Sequence, residues 1–156
     1  MDTTILHIYN RGNHKGPISF RKEDLFVLKK MFFKHLQPRY FDIISLCIMP
    51  NHYHLLIAYQ CSKMLSNSMR DIGRNYTVYM NKKYGLVGHL FQGPYRRKIV
   101  KNYIYYRVLV EYIKGNPQKL SQIGAGMFLL KENTKLIEYY NLLLSEKYPI
   151  TLLKFD

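Results

Sequence analysis

Apolar positions along the chain change their period several times, and each change marks an element. Residues Thr4 to Tyr9 mix β-branched and aromatic types and run into the turn-rich cluster Asn10-Arg11-Gly12-Asn13, so the first element is a strand feeding a loop. From Arg21 to about Leu36 the residues Leu25, Leu28, Met31, Phe32 and Leu36 recur at helical spacing and stop before Pro38, which predicts a helix with a basic outer face. Phe41 to Met49 and His52 to Tyr59 are β-rich runs joined by Pro50-Asn51. They read as a hairpin whose strands are apolar on both faces, the pattern of central strands. Between Ser62 and Tyr84, Leu65, Met69, Ile72, Tyr76 and Met80 form a stripe spaced by threes and fours, with Arg70, Arg74, Lys82 and Lys83 elsewhere on the cylinder. This is a long amphipathic helix, ended by Gly85.

The stretch from Gly88 to Val100 passes through Gly93-Pro94 into Tyr95-Arg96-Arg97-Lys98-Ile99-Val100, a loop leading to a strongly basic strand. Asn102 to Lys114 reads as a helix stopped by Gly115 and Pro117, because proline disfavours helical geometry in the residue before it. Asn133 to Tyr148 has the pattern of one more helix. The order strand, helix, strand, strand, helix, strand, helix predicts an α+β sandwich, with helices packed on a central antiparallel sheet in a ferredoxin-like or RRM-like arrangement. At 156 residues the expectation is one domain over 1–156, with a C-terminal helical extension from about 118. Such a fold leaves function open, and the site has to supply it.

Charge narrows the choice. Against 10 Asp plus Glu stand 24 Lys plus Arg, a formal +14 with pI near 9.8, which points to a polyphosphate partner and first of all to nucleic acid. An anionic membrane surface is the main competitor. The chain shows no basic amphipathic segment with Trp or Phe anchors, no apolar run near the roughly 18 residues of a transmembrane helix, and no signal-peptide core after Met1, so a cytoplasmic protein is expected. Cys47 and Cys61 fall outside any CxxC or Cys/His spacing and read as buried thiols. Fifteen tyrosines and eight phenylalanines, with no tryptophan, provide rings that can stack unpaired bases beside the cations, although most of them must be core.

Three constellations carry candidate chemistry. In Met49-Pro50-Asn51-His52-Tyr53-His54-Leu55-Leu56, strand alternation turns both imidazoles to one face with backbones about 7 Å apart, which suits two ligands converging on one metal ion. A bare HxH is a weak signal, which histidines satisfied by hydrogen bonds also produce, and a closed zinc site lacks its remaining ligands nearby. In Glu111-Tyr112-Ile113-Lys114-Gly115-Asn116-Pro117, helical spacing lets Tyr112 and Asn116 share a face, a nucleophile beside a neutral oxygen ligand. The competing reading makes Ile104, Val108 and Tyr112 one apolar core stripe and Asn116 a helix-closing residue before proline. Third, Arg11, Arg74 and the Arg96-Arg97-Lys98 run are basic residues that frame these two motifs.

Taken together, His7-Ile8-Tyr9-Asn10-Arg11-Gly12-Asn13, Met49 to Leu56, Gly88-His89-Leu90-Phe91-Gln92-Gly93 and Tyr112-Ile113-Lys114-Gly115-Asn116-Pro117 resemble, in order and spacing, the single-tyrosine HUH transposases. The likeness is greatest to the REP-associated tyrosine transposases, which process short palindromic DNA hairpins. Many of those carry histidine where this chain has Lys114. The resemblance implies a Mg²⁺ or Mn²⁺ ion on His52, His54 and Asn116, and Tyr112 as nucleophile, ahead of Tyr103 and Tyr106 on the same helix. It implies single-stranded or hairpin DNA as partner, cut and rejoined through a covalent 5′-phosphotyrosine by a monomer or homodimer. Asn10, Arg11, Asn13, Arg74, His89, Gln92, Arg96, Arg97 and Lys98 are the residues expected to hold the DNA. A DNA- or RNA-binding regulator that has lost cleavage is the alternative. A hydrolase of small phosphoesters fits least, given the charge and the lack of a carboxylate cluster.

Overall fold

A computed structural model describes residues 3–59, 62–123 and 129–147, with the backbone alone for 116–123 and 129–132. Its centre is a five-stranded antiparallel sheet in the order β4-β1-β3-β2-β5, formed by β1 (Thr4–Arg11), β2 (Phe41–Ile48), β3 (His52–Tyr59), β4 (Arg96–Ile99) and β5 (Leu129–Glu132). Helices α1 (Lys22–His35) and α2 (Ser62–Tyr84) cover one face, and α3 (Tyr103–Ile123) and α4 (Thr134–Lys147) lie on the other. The α+β class and the hairpin of buried central strands are those the apolar pattern predicts.

Alternation along β3 explains the two layers. Tyr53, Leu55 and Ile57 join the core under α1 and α2, while Leu56 and Ala58 pack toward α3 and α4, so His52 and His54 face the α3 side. Strand β2 changes parity at a bulge between Ile43 and Ser45. Phe41 and Ile43 face α1 and α2 before it, Leu46 and Ile48 after it, and Ile44 turns to the other core.

Two expectations are corrected. Helix α3 does not stop at Gly115 and Pro117 but runs on to Ile123. Proline removes one backbone hydrogen bond, here the one that would reach the carbonyl of Ile113, and a helix of 21 residues has enough bonds on both sides to continue past that loss. The segment beyond 118 is not only helical either. Between α3 and α4 it supplies β5, which pairs with β2 from Ser45↔Glu132 to Ile48↔Leu129 and extends the sheet. Cys47 is buried, with its thiol pushed up to about 12 by desolvation; Cys61 lies outside the described residues.

The two helical layers are tied down differently. Asp24, in the first turn of α1, is fully buried and accepts hydrogen bonds from the Phe20 and Arg21 amides, the Tyr79 and Tyr84 hydroxyls and the Lys83 ammonium. The desolvation of its carboxylate is outweighed by the Lys83, Tyr84, Phe20 and Arg21 donors, which hold its pKa well below the usual carboxylate range. On the opposite side, the Tyr106 hydroxyl donates to the carbonyl of Ile137 at 3.2 Å, and the Tyr140 hydroxyl donates to Asp42 at 2.6 Å. These bonds join α3 to α4 and α4 to β2.

Candidate active site

The hairpin tip that presents the histidines is a two-residue loop, closed by the Met49 amide donating to the carbonyl of His52 at 2.8 Å. Both loop carbonyls are used. Pro50 accepts from the Ile18 and Ser19 amides at 2.7 and 3.2 Å, and Asn51 accepts from the Gly12 amide at 2.9 Å. Gly12 is required there, because a Cβ would lie 1.9 Å from the carbonyl oxygen of Gly16. The neighbouring turn Asn13–Lys15 puts His14 and Lys15 in left-handed geometry (φ 53° and 59°), a costly conformation for residues with side chains.

The end of β1 and the segment after α2 form one unit. The Gln92 amide donates to the Arg11 carbonyl at 2.9 Å and the Asn13 amide to the Leu90 carbonyl at 2.8 Å. The Asn10 side chain donates to the Gly93 carbonyl at 2.9 Å, and the Arg11 guanidinium donates to the Gln92 side-chain oxygen. Two motifs far apart in sequence are thereby stitched along one wall of a cleft of about 650 Å³.

His52, His54 and Tyr112 meet in that cleft. The two imidazoles stand nearly perpendicular, at 86° with centroids 5.1 Å apart. The Tyr112 ring stands edge-on to His54, at 84° and 5.3 Å. Each histidine has its Nδ1 engaged, His52 at 2.7 Å from the Asn51 side-chain oxygen and His54 at 3.0 Å from Nε2 of His7. Burial lowers the pKa of both, and the proximity of His52 and His7 lowers that of His54 further. His7 is held down by burial and by Lys98. A neutral imidazole that carries its hydrogen on Nδ1 leaves Nε2 for the cleft, as ligation of a divalent ion requires.

The donor chemistry therefore fits two positions on such an ion. Among the described residues no group of three or more His, Cys, Asp or Glu is arranged to hold a metal. The third expected ligand, Asn116, lies one turn beyond Tyr112 on the α3 backbone, and its side chain is outside those described.

The competing core reading of Tyr112 is overturned. Ile104, Val108 and Tyr112 are 56%, 60% and 45% exposed, whereas the buried stripe of α3 is Tyr106, Leu109, Val110 and Ile113. Tyr106 is sealed and hydrogen-bonded to α4, which removes it as a nucleophile, and Tyr103 carries the Arg107 guanidinium 5.8 Å over its ring.

Of the residues expected to hold DNA, Asn10, Arg11, Gln92 and Arg96 line the cleft. Arg74 and His89 line a second groove of about 540 Å³, which shares Asn10, Tyr53, Gly93 and Pro94 with the first. Asn13 contributes its amide to the stitched wall. On β4 the register places Arg96 beside Tyr9 and Lys98 beside His7, on the histidine face, while Arg97 pairs with Ile8 and faces the other way, lining neither cleft. Sequence reasoning missed Lys15 and Tyr9 as cleft residues and gave no role to His7. Period-two alternation from His7 to Tyr9 was the available signal for the strand residues. Nothing in the sequence marks the left-handed turn that carries Lys15.

An antiparallel α+β fold here sets two strand histidines and a helical tyrosine in one basic cleft. The family model described as transposase IS200-like matches residues 2–116, and the chain belongs to that family. Among solved structures it is similar in fold to a REP-associated tyrosine transposase bound to a REP hairpin, with 22% identity, a TM-score of 0.57, and coverage of 74% of this chain and 67% of that one. It also matches a transposase candidate from Deinococcus radiodurans R1 at 15% identity and TM-score 0.42, over 74% of this chain and 92% of that one. No curated protein sequence matches the chain. No helix among the described residues is long and apolar enough to cross a membrane.

Proposed function

We propose that this transposase is a single-strand DNA transesterase that nicks and rejoins hairpin-associated DNA, with Tyr112 as the nucleophile. The observation that carries the reading is the edge-on placement of the exposed Tyr112 ring against His54, in a cleft that also holds His52, Arg11 and Arg96. The phenol oxygen attacks the scissile phosphorus and forms a phosphotyrosine bond, and the bond from phosphorus to the 3′-oxygen breaks. The phenol loses its proton and the leaving 3′-oxygen gains one, so atoms and charge balance. One phosphodiester replaces another, and rejoining needs no nucleotide cofactor.

His52, His54 and, by the family resemblance, Asn116 would hold a Mg²⁺ or Mn²⁺ ion, which when bound would polarise the phosphate and stabilise developing charge. Asn51 fixes the His52 ring through its side-chain oxygen. Arg11 and Arg96 line the cleft as phosphate contacts, with Arg11 pre-ordered by Gln92. An unpaired strand is the substrate because the cleft walls and the adjoining groove offer rings for stacking, Tyr9 and Tyr95. A hairpin supplies both duplex and unpaired flank, and the solved relative is described as holding one.

The test is to incubate the protein with end-labelled, hairpin-bearing single-stranded DNA and Mn²⁺ and to separate the products on a denaturing gel. A protein-linked band from the wild type, absent with Tyr112→Phe although that variant still binds the DNA, supports the reading. Tight binding with no adduct under any condition would replace it with that of a binding regulator.

A further inference from the structure

The two proposed ligands are oriented by chemically different partners. An amide oxygen only accepts, so Asn51 obliges His52 to carry its hydrogen on Nδ1 and leaves Nε2 with its lone pair. The partner of His54 is another imidazole. His7 projects from β1 on the same face, is only 7% exposed, and stacks against His54 at 5.2 Å and 25° with its Nε2 3.0 Å from His54 Nδ1. A single hydrogen lies between those two nitrogens, and it can belong to either ring.

The choice decides what His54 offers the cleft. If His54 donates from Nδ1, its Nε2 keeps a lone pair and can ligate a cation. If His7 donates instead, His54 carries its hydrogen on Nε2 and cannot. The far nitrogen of His7 has a partner in either arrangement, because a phenol hydroxyl can accept or donate, and ligation through Nε2 of His54 selects the first. The His7 Nδ1 lies 3.5 Å from the Tyr105 hydroxyl, at the outer limit of a hydrogen bond, and that hydroxyl can accept the hydrogen His7 must carry there once its Nε2 accepts from His54.

We infer that His7 is a positioning residue that holds His54 in the Nδ1–H tautomer, with Tyr105 anchoring His7 from behind, so that His54 presents an unprotonated Nε2 to the cleft. A partner behind a metal-bound histidine fixes both ring orientation and tautomer, and its loss typically lowers metal affinity about 10- to 100-fold. The inference rests on His54 being a ligand, but the tautomer is a property of the metal-free protein and can be read without metal.

The experiment uses histidine-selective ¹⁵N labelling and long-range ¹⁵N–¹H correlation spectra of the metal-free protein, followed by Mn²⁺ titration monitored by EPR in a Tyr112→Phe background. The wild type should show His54 with hydrogen on Nδ1. His7→Phe, which keeps ring volume but has no acceptor, should move that hydrogen to Nε2 and weaken Mn²⁺ binding about 10- to 100-fold. His7→Gln, whose amide oxygen can accept, should recover much of the affinity, as replacement of mere packing would not. A His54 bearing hydrogen on Nε2 in the wild type, or Mn²⁺ binding by His7→Phe equal to wild type, overturns the inference. Should His7→Phe not fold, the wild-type spectrum alone decides. Failure of the wild type to bind Mn²⁺ would count against the metal reading, while the spectrum would still decide the tautomer.

Discussion

On one face of the sheet, α1 and α2 close over a continuous apolar core and are clasped at their ends by the buried Asp24 and its five donors. On the other, α3 buries Tyr106, Leu109 and Ile113 but leaves Ile104, Val108 and Tyr112 exposed, and the histidines beneath it look into an open cleft. The contrast separates the parts of the molecule that maintain the sheet from the part proposed to do chemistry. The groups gathered around Asp24 on the first face are consumed internally. The two cleft histidines of the second are oriented instead, with Asn51 and His7 each occupying one nitrogen. Shared strands link the faces, because alternation along β3 gives Tyr53 and Leu55 to the clasped core and His52 and His54 to the cleft.

The largest effect that would separate the two sides is Asp24→Ala. Removing a buried, multiply bonded carboxylate should cost about 3–5 kcal/mol of unfolding free energy. Cleavage per folded molecule should not change; urea titration and single-turnover rates at matched folded fractions read the two quantities. His52→Ala should do the reverse, slowing cleavage about 10²- to 10³-fold, the equivalent of several kcal/mol of lost transition-state stabilisation, with the melting temperature nearly unchanged. A variant that loses stability and activity in proportion would erase the distinction.

Acid sharpens the same point. Because the folded-state pKa of Asp24 is depressed, its stabilisation is complete above its unfolded value of about 3.9 and is lost as pH falls below that toward the folded value. The stability gap between wild type and Asp24→Asn should therefore be constant from neutral pH to about pH 5 and shrink below about pH 4. Denaturant titrations at several pH values would show it, and a gap that widened on acidification would contradict the assignment.

Smaller effects distinguish neighbouring cations. Arg96→Ala should weaken DNA binding and reduce the salt slope by about one, while Arg97→Ala, on the far side of β4, should change the slope less. Equal slopes for the two would show that the DNA path wraps the strand edge. Smallest of all, Val108→Ser on the exposed stripe should alter stability by no more than about 0.5 kcal/mol. A larger loss would mean that the stripe is covered after all.

Most of this architecture was legible because periodicity reports burial, and burial organises the sheet. The hairpin, α2 and the facing of His52 and His54 follow directly from alternation and helical spacing. The competing assignment of Tyr112 to a core stripe failed for an instructive reason. Two overlapping stripes run along α3, and spacing alone does not say which one meets the sheet. The helix end at Pro117 was misplaced because the local cost of proline is finite and the rest of the helix outweighs it. Strand β5 is short and pairs at the sheet edge, so it carries little alternation of its own. The bulge at Ile44, the left-handed turn at Lys15 and the partnership of His7 with His54 depend on contacts between distant segments, which one-dimensional patterns do not encode.

Several phenols stand near the histidines, with Tyr9 6.2 Å from His54 by ring centroid and Tyr105 behind His7, so the identity of the nucleophile is the point on which the account turns. The most direct measurement is to trap the covalent adduct, trim its DNA with nuclease, and locate the residual nucleotide by tandem mass spectrometry of proteolytic peptides. The account predicts a 5′-phosphate ester on Tyr112 alone. A nucleotide on Tyr9, Tyr105 or any other residue would contradict it.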